Sequence, residues 1–492
     1  MKFYITTPIY YINGSPHIGH AYASVAADII ARFKRLDGNE VRFCTGTDEH
    51  GIKVARAAEK AGMQPQEYSD GASQLFRDMT KKINLSNDDF IRTTEPRHIA
   101  SAQAFWKLLD RDLYKDKYSG WYDPRDEAFV SEDDIVDGKA PSGGTVEWME
   151  EESYFFRLSA YQDKLLQYYE DHPDFIAPTS RRNEVISFVK SGLRDLSVSR
   201  SKFSWGIPVP GDENHVMYVW IDALANYISS LGFPDTGRLN EMMPECVHIV
   251  GKEILRFHAV YWPAFLMSAG LPLPKRIFAH GWWTCEGQKM SKSVGNVVDP
   301  MELIDRYGVD PVRYFLFRAV RFGEDGDFSE EAMKNRISYD LANDLGNLVQ
   351  RVLAFVQKLG DFVPDYNFSE AEQRLFFEVN DLIPKMRKFM DVQDIHSAIE
   401  CLWKLISQGN RFVNDEKPWE LAKQNSRRLQ PVLTVLVEAV RAIGFGIAPF
   451  MPSTADKIFG FINVPGKSFR EIGTKFERTK FPSPAPLFPK EK

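Results

Sequence analysis

The fold is decided near the start of the chain by residues 2–45, which read KFYITTPIYYINGSPHIGHAYASVAADIIARFKRLDGNEVRFCT. Their apolar beginning predicts a strand over residues 2–7. Ser15 suits the N-cap of a following helix, and Pro16 suits its first helical position. Residues 41–45 predict a second strand beyond that helix. A strand, a helix and a strand in this order form a βαβ unit, which implies a parallel sheet.

The helix between these strands has one apolar face and a defined end. Its apolar side chains recur at spacings of four, four and three residues, in the order Val25, Ile29, Phe33 and Leu36. Gly38 follows where such a helix should stop. Two further strands are predicted at residues 246–250 and 276–280. We therefore predict an α/β fold with a Rossmann-like parallel-sheet catalytic domain.

The rest of the chain divides into regions that differ in composition and hydrophobic pattern. An acidic stretch rich in helix breakers predicts an inserted connective domain, and long amphipathic segments after residue 335 predict an all-α helical bundle. These segments lie near residues 336–359, 370–391, 394–413 and 429–448. The predicted boundaries are 1–113 and 218–284 for the two halves of the catalytic domain, 114–217 for the insertion, 285–335 for a lysine-loop region, 336–481 for the bundle and 482–492 for a tail.

Composition and charge exclude several classes of protein. Among the 492 residues, 43% are hydrophobic and 26% are charged, which is typical of a soluble globular protein. Glu438 and Arg441 interrupt the most apolar stretch, so we expect no membrane span. No signal peptide is evident and the four cysteines are scattered, so we predict a cytoplasmic protein without disulfides or a structural zinc. The net charge of -7 argues against indiscriminate nucleic-acid binding but permits a local basic face.

Two histidines open the predicted helix. His17 and His20 lie at positions i and i+3, so both rings share one face at the helix N-terminus. Backbone N–H groups and the helix dipole favour phosphate there, and Gly19 lets a nucleotide approach closely. Two histidines taken alone usually cap a helix or pack in a core. The strand, the turn and Pro16 around this pair favour a phosphate site instead.

A second candidate phosphate site follows the last predicted strand. Residues 289–293 read KMSKS and lie among glycines. Lys289 and Lys292 can close over a leaving pyrophosphate and stabilise charge that develops only in the transition state. Such a run is usually a solvated loop when it stands alone, but its combination with His17 and His20 is highly specific.

These two patterns resemble, letter for letter, the two hallmark motifs of the class I aminoacyl-tRNA synthetases. Within subclass Ia the chain is most similar to the methionyl-tRNA synthetase family, through residues 10–14, 45–51, 220–223, 251–254 and 281–283. The resemblance covers nearly the whole chain. It implies activation of L-methionine by Mg²⁺-ATP to methionyl-adenylate, transfer of the methionyl group to the 3′ end of tRNA(Met), and release of AMP and pyrophosphate. It also implies that the lysine-loop region contacts the tRNA stem and that the bundle binds the anticodon.

The resemblance further implies roles for individual residues. Catalysis would rest on His17, His20, Lys289 and Lys292, and the ATP site would add Gly19, Glu253, His280 and Gly281. The methionine site would comprise Pro8, Ile9, Tyr11, Asp48, Trp220, Ala223, Leu224, Tyr227, Ile254 and His258. Asp48 would hold the α-amino group, Tyr11 would close the pocket, and Arg200 would be an accessory residue near the substrate. Anticodon recognition would rest on Asn347, Arg351 and Trp419.

The residues leave simpler interpretations open. Stripes such as the one from Trp220 to Tyr227 are more often plain core, although an aromatic apolar slot suits a thioether. Apolar pockets discriminate weakly, so the choice of methionine rests on the resemblance. Asp48 could instead cap a helix and Arg200 could lie on the surface of the insertion. An Asn/Arg pair is usually solvated helix surface, and a Pro-Trp sequence such as the one ending at Trp419 is often a bundle anchor.

The chain departs from the family pattern in the insertion. Many family members carry a zinc knuckle there, but residues 120–127, GWYDPRDE, occupy that context without a cysteine. We therefore predict a metal-free knuckle and no metal site. No appended domain of the kind that dimerises longer relatives follows the bundle, which predicts a monomer.

Three other functions compete with this interpretation. A small-molecule nucleotidyltransferase with the same histidine motif is disfavoured by the helical C-terminal third and the intact lysine loop. A catalytically inactive tRNA-binding paralogue should have eroded motifs, whereas both histidines and both lysines are present. The synthetases for Ile, Val or Leu normally need a much larger insertion, and the cysteine enzyme needs zinc-binding cysteines.

Overall fold

The computed structural model describes residues 1–123, 128–130, 132–141, 143–290 and 296–488. Its strands in chain order are β1 Lys2–Tyr11, β2 Glu40–Asp48, β3 Asp89–Arg92, β4 Leu113–Asp123, β5 Ala128–Val130, β6 Glu147–Phe156, β7 Ile176–Ala177, β8 Leu196–Ser197, β9 Ser199–Arg200, β10 Pro208–Val209, β11 Asp212–Met217, β12 Cys246–Gly251, β13 Arg276–His280, β14 Trp283–Cys285, β15 Gln288–Lys289 and β16 Gly326–Phe328.

The α-helices in chain order are α1 Ile18–Leu36, α2 Ile52–Ala61, α3 Pro65–Lys82, α4 Pro96–Leu109, α5 Gln162–Asp171, α6 Thr179–Lys190, α7 Val219–Ser229, α8 Gly237–Met242, α9 Trp262–Ala269, α10 Pro300–Tyr307, α11 Val309–Arg318, α12 Glu330–Arg336, α13 Asn347–Leu359, α14 Glu370–Met390, α15 Ile395–Glu416, α16 Pro418–Lys423, α17 Leu429–Ile447 and α18 Pro452–Ile462. Short π-helical stretches at Phe257–Tyr261 and Ile337–Gly346 lead into α9 and α13.

A six-stranded parallel sheet forms the centre of the catalytic domain. Its strand order is β3-β2-β1-β12-β13-β7, and all five pairings are parallel. The predicted α/β fold with a Rossmann-like sheet is therefore confirmed. The order of the strands reverses between β1 and β12, and open sheets of this kind bind ligands at the carboxyl ends of their strands at such a point.

The first strand runs further than the predicted residues 2–7. After an irregularity between Thr6 and Ile9, the last residues of β1 pair again with β2, and Tyr11 lies opposite Asp48. Both strands therefore end at the same edge of the sheet. Gly38, with a φ of 84°, follows the end of α1 as predicted.

The helix α1 begins two residues later than predicted, so the assignment of Ser15 as N-cap and Pro16 as first helical residue is wrong. The N-cap is His17, whose Nδ1 accepts the N–H of Gly19 at 3.1 Å. His20 Nδ1 in turn accepts the N–H of His17 at 3.1 Å. The two imidazoles thus form a reciprocal capping box, and they satisfy the N–H groups that a serine would otherwise satisfy.

The segment 114–217 builds two small antiparallel sheets, β5-β4-β6-β8 and β10-β11-β9. One element of the segment belongs elsewhere, because β7 pairs with β13 and forms an edge of the central sheet. The chain therefore leaves the catalytic domain, returns briefly to its sheet and leaves again. Residues 124–127 of the predicted knuckle lie outside the described residues.

The C-terminal third is helical, and α13, α14, α15 and α17 lie on the four predicted amphipathic segments. Every residue of α17 from Pro431 to Ile447 is buried. In the described parts of the chain, α17 is also the one helix long and apolar enough to cross a membrane, and 94% of its most apolar window is buried inside the protein. It is the core helix of the bundle.

Candidate active site

A cavity of about 780 Å³ opens at the carboxyl ends of β1, β2, β12 and β13, which end at Tyr11, Asp48, Gly251 and His280. Most of the predicted substrate-binding residues line it, although they come from three distant parts of the chain. These are Pro8, Ile9, Tyr11, His17, Gly19, His20, Asp48, Trp220, Ala223, Leu224, Tyr227, Glu253, Ile254, His258, His280 and Gly281.

The two histidine rings of α1 lie against each other, with their centroids 3.8 Å apart. Each Nδ1 accepts a backbone N–H, so the proton of each neutral ring is on Nε2, which can act as a donor. Burial and the neighbouring His17 ring hold the pKa of His20 well below its usual range, so His20 is neutral. A Cβ at Gly19 would lie 3.0 Å from His17 Cε1, so the glycine makes room for this ring.

The opposite wall is formed by the residues after β12 and β13. Glu253 accepts a hydrogen bond from Trp282 Nε1 at 2.6 Å. His280 Nδ1 lies 2.8 Å from the carbonyl oxygen of Gly281, and burial lowers the pKa of this histidine. A Cβ at Gly281 would lie 2.3 Å from the backbone oxygen of Glu324, so only glycine fits there. This wall presents a carboxylate and an imidazole that can hydrogen-bond to a nucleoside.

The far end of the cavity is apolar. One face of α7 contributes Trp220, Ala223, Leu224 and Tyr227, and the Trp220 ring stacks on Phe257 with centroids 3.4 Å apart. Asp48 is 5% exposed at the end of β2 and lines the same cavity. The cavity therefore holds a carboxylate and an aromatic slot, which match the two ends of an apolar amino acid.

A hydrogen-bonded pair marks the polar point of the slot. His258 Nδ1 lies 2.9 Å from the carbonyl oxygen of Ile254, which can only accept, so Nδ1 carries the proton. Tyr227 lies 2.7 Å from His258 Nε2 and therefore donates its hydroxyl proton to that ring. Burial lowers the pKa of His258 to about 4 and raises the pKa of Tyr227 well above its usual range. Both side chains are neutral at physiological pH.

Two family models match the chain. One, described as "tRNA synthetases class I (M)", matches residues 3–147 and 134–353, and the other, "Anticodon binding domain of methionyl tRNA ligase", matches residues 363–480. The methionine–tRNA ligase of Brucella suis biovar 1 (strain 1330) is 51% identical over 503 residues, covering 99% of this chain and 98% of the relative.

The chain belongs to the methionyl-tRNA synthetase family. Its activity is the ATP-dependent formation of methionyl-adenylate and the transfer of the methionyl group to tRNA. The Rickettsia felis methionine–tRNA ligase is 52% identical over 477 residues, covering 94% of this chain and 92% of the relative.

Solved structures of the same family have the same architecture. The structure described as Mycobacterium tuberculosis methionyl-tRNA synthetase in complex with methionyl-adenylate superimposes with a TM-score of 0.95 at 47% identity, covering 99% of this chain and all of that one. The free-state structure of the Mycobacterium tuberculosis enzyme gives a TM-score of 0.89 at 44% identity. The superposition extends over the catalytic domain, the insertion and the bundle.

The two loop lysines and Arg200 are the remaining predicted residues of the active site. The backbone of Lys289 pairs with Thr284 in a short hairpin beside the cavity, and Lys292 lies outside the described residues. Arg200 is 3% exposed on β9, where its guanidinium lies 3.8 Å from the Tyr218 ring and donates to Ser199 O at 2.7 Å. This burial excludes the simpler interpretation of Arg200 as a surface residue of the insertion.

Several cavity-lining residues were not predicted, and most of them flank predicted ones in sequence. Their positions at strand ends and in the first turn of α1 could have indicated that they line the cavity, since residues at these positions lie at the carboxyl edge of the sheet. The residues are Tyr10, Ile18, Ala23, Asn226, Gly251, Trp282, Trp283, Thr284, Met290 and Val297.

The predicted anticodon residues lie on the bundle, at a pocket of about 290 Å³. Arg351 on α13 and Trp419 on α16 both line it, and the guanidinium lies 5.7 Å from the indole centroid. Arg351 also donates to Asn414 Oδ1 at 2.9 Å. Asn347 is exposed one turn earlier on α13. These residues form one surface, with a 37% exposed indole at its edge.

Within residues 1–123, 128–130, 132–141, 143–290 and 296–488, no group of three or more His, Cys, Asp or Glu side chains is placed to hold a metal ion. Part of the predicted knuckle lies outside these ranges, so its lack of zinc stays a prediction.

Proposed function

We propose that the cavity binds ATP against α1 and the β12–β13 wall, and methionine against Asp48 and α7. The methionine carboxylate attacks the α-phosphorus of ATP in line, which forms methionyl-adenylate and releases pyrophosphate. The observation that carries this proposal is the pair of neutral imidazoles at a helix N-terminus, in the same cavity as a buried carboxylate and an aromatic slot. No protein nucleophile is required, so catalysis is positioning and electrostatic stabilisation.

The phosphates are held by α1 and by the lysine loop. The Nε2–H groups of His17 and His20 donate to phosphate oxygens, and the α1 dipole adds attraction for negative charge. Lys289 and Lys292 stabilise the leaving pyrophosphate. Glu253, His280 and Gly281 orient the nucleoside.

Methionine is bound at its two ends. Asp48 pairs with the α-ammonium group, and Tyr11, whose hydroxyl donates to His50 O at 3.1 Å, covers the site. The thioether lies in the α7 slot, where sulfur–aromatic contacts with Trp220 and Tyr227 are favourable. The remaining predicted methionine contacts, from Pro8, Ile9, Ala223, Leu224, Ile254 and His258, define the shape of the slot.

Magnesium enters with ATP. Among the described residues, the acidic side chains that line the cavity are Asp48 and Glu253, which is too few for a protein cage, so a magnesium ion here would be held mainly through the nucleotide and water. When bound, Mg²⁺ neutralises phosphate charge during the displacement.

In the second step a ribose hydroxyl at the 3′ end of tRNA(Met) attacks the mixed anhydride and AMP leaves. Arg200 supports the substrate end from the insertion as an accessory residue. Asn347, Arg351 and Trp419 recognise the anticodon, because an indole stacks on an unpaired base while amide and guanidinium groups contact its edge. We further propose a cytoplasmic monomer with a metal-free knuckle, which light scattering and metal analysis test.

ATP–pyrophosphate exchange with each of the twenty amino acids tests the specificity. Methionine should support the fastest exchange, and faster exchange with isoleucine, valine, leucine or cysteine would overturn the assignment. Lys292→Ala should lower the exchange rate by a factor of about 100 or more with little change in the unfolding free energy. Near-wild-type exchange in that variant would remove the lysine from the mechanism.

A further inference from the structure

A buried carboxylate lies directly behind the methionine end of the cavity. Asp222 is on α7, two residues after Trp220, and its side chain is fully buried. It accepts hydrogen bonds from His50 Nδ1 at 2.6 Å and from His98 Nε2 at 2.8 Å. None of these three side chains lines the cavity, so any effect on methionine must act through residues that do.

The hydrogen bonds join this cluster across several elements. The Ser229 hydroxyl lies 2.8 Å from Ala225 O and 3.2 Å from His98 Nδ1. His98 therefore links Asp222 to Ser229 through its two ring nitrogens. Burial raises the pKa of Asp222, but the His50 and His98 rings lower it more, and the net pKa is about 2. The carboxylate is ionised and paired.

The cluster holds α7 by the face opposite to the substrate. Trp220 and Tyr227 are on the cavity side of this helix, whereas Asp222 and Ser229 are seven residues apart on its other side. His98 on α4 binds both of them, across two turns of α7. The rotation and height of α7, and with them the position of the aromatic slot, are thereby fixed.

The same carboxylate holds the loop that follows β2. His50 is two residues after Asp48, and its bond to Asp222 joins this loop to α7. The intervening Glu49 is fixed separately, because its carboxylate binds Arg92 at 2.7 Å and its carbonyl oxygen accepts from Trp205 Nε1 at 2.7 Å. The His50–Asp222 bond therefore sets the distance between two independently supported parts of the site.

We propose that Asp222 is a positioning residue for methionine, which acts through His50 to set the Asp48 carboxylate against the slot on α7. This inference rests on the proposed function, in which Asp48 binds the ammonium group and α7 binds the thioether. Methionine must contact both at once, so a small displacement of either weakens its binding. The ATP contacts come from α1, β12 and β13, and they do not depend on this bond.

The test is ATP–pyrophosphate exchange with methionine and ATP varied separately, using Asp222→Ala, His50→Leu and His50→Asn. Loss of a hydrogen bond to a charged group should raise the KM for methionine by about tenfold or more, while the KM for ATP stays within about twofold. His50→Asn keeps a donor at the place of Nδ1 and should restore most of the methionine affinity. Tyr314→Phe is the matched control, because it removes a buried hydroxyl bond to Asp340 at 2.7 Å, away from the cavity.

Equal increases in both KM values, or an unchanged KM for methionine, would overturn the inference. If Asp222→Ala does not fold, the comparison of His50→Leu with His50→Asn tests the inference instead. A KM for methionine that is as high in His50→Asn as in His50→Leu would also overturn the inference. Asp48→Asn separates the two levels of the argument. An unchanged KM for methionine in Asp48→Asn refutes the proposed function. A KM for methionine that rises in Asp48→Asn but not in His50→Leu refutes only the role of Asp222.

Discussion

Replacing His20 by asparagine removes the Nε2–H donor assigned to the ATP phosphates but keeps an acceptor for the N–H of His17. That acceptor bond, 3.1 Å long, closes the capping box of α1, so the unfolding free energy should change by less than about 0.5 kcal/mol. One lost donor to charge that develops in the transition state lowers a rate by about 100-fold to 1000-fold, or roughly 2.7–4 kcal/mol. The exchange rate of His20→Asn should fall within this range.

Two further variants test the same assignment. His20→Gln keeps an acceptor of the length that Glu372 and Glu471 use at the same position of their own capping boxes, and its amide N–H can place a donor near Nε2, so it should retain the stability of the parent chain and more activity than asparagine. His20→Ala should lose both the exchange activity and the stability that the ring provides. ATP–pyrophosphate exchange and urea unfolding measure the two quantities. If His20→Asn exchanges within about fivefold of the parent chain, or if its stability falls as far as that of alanine, the reasoning is refuted.

The other predictions concern acid stability, a buried ion pair and tRNA binding. Asp222, with a pKa lowered from 3.8 to about 2, contributes stability that is present above pH 3.8 and is lost as the pH falls toward 2. Between pH 5 and pH 3, the unfolding free energy of Asp222→Asn should therefore fall by about 1 kcal/mol less than that of the parent chain, as measured by urea unfolding. Equal decreases in the two proteins would contradict this. Arg313→Met leaves Asp28 charged and buried without its partner at 2.6 Å, which should cost roughly 3–5 kcal/mol of unfolding free energy. A cost under about 1 kcal/mol would show that the hydrogen bond from Arg32 alone is enough to stabilise the buried Asp28 carboxylate. Trp419→Ala should raise the KM for tRNA by about tenfold in aminoacylation without changing pyrophosphate exchange, and a parallel loss of exchange would argue against an anticodon role.

Much of the catalytic domain could be predicted because its elements have regular patterns. The apolar stripe of α1 and the strands at β12 and β13 were all placed within a residue or so. The edge strand β7 has two residues and carries no periodic signal, so its return to the sheet was not foreseen. The start of α1 was misplaced because preference rules favour serine at an N-cap, whereas here the imidazole of His17 is the acceptor.

The site shows a similar division. Most residues assigned to substrate binding sit in short motifs, many of them at strand ends, and the structure brings them together in one cavity. Asp222, His50 and His98 are widely separated in sequence, and each looks like an ordinary polar residue in its own segment. Their meeting depends on how α4 and α7 pack, and no local pattern encodes it. The lysine loop has a strong motif, but residues 291–295 lie outside the described residues.

The complete burial of α17 has a consequence for how this protein is made. A helix without an exposed face is stable only when its neighbours surround it, so the core that α14 and α15 share with α17 stays incomplete until residue 447 has been synthesised. At roughly 5–20 residues per second, the ribosome takes about 10–30 s to extend the chain from the end of β13 to the end of α17. During that interval the parallel sheet is complete and the bundle is not. The carbonyl groups of Pro449 and Phe450, which accept hydrogen bonds from Arg313 on α11, are synthesised later still. The contact between α11 and the end of the bundle therefore forms last.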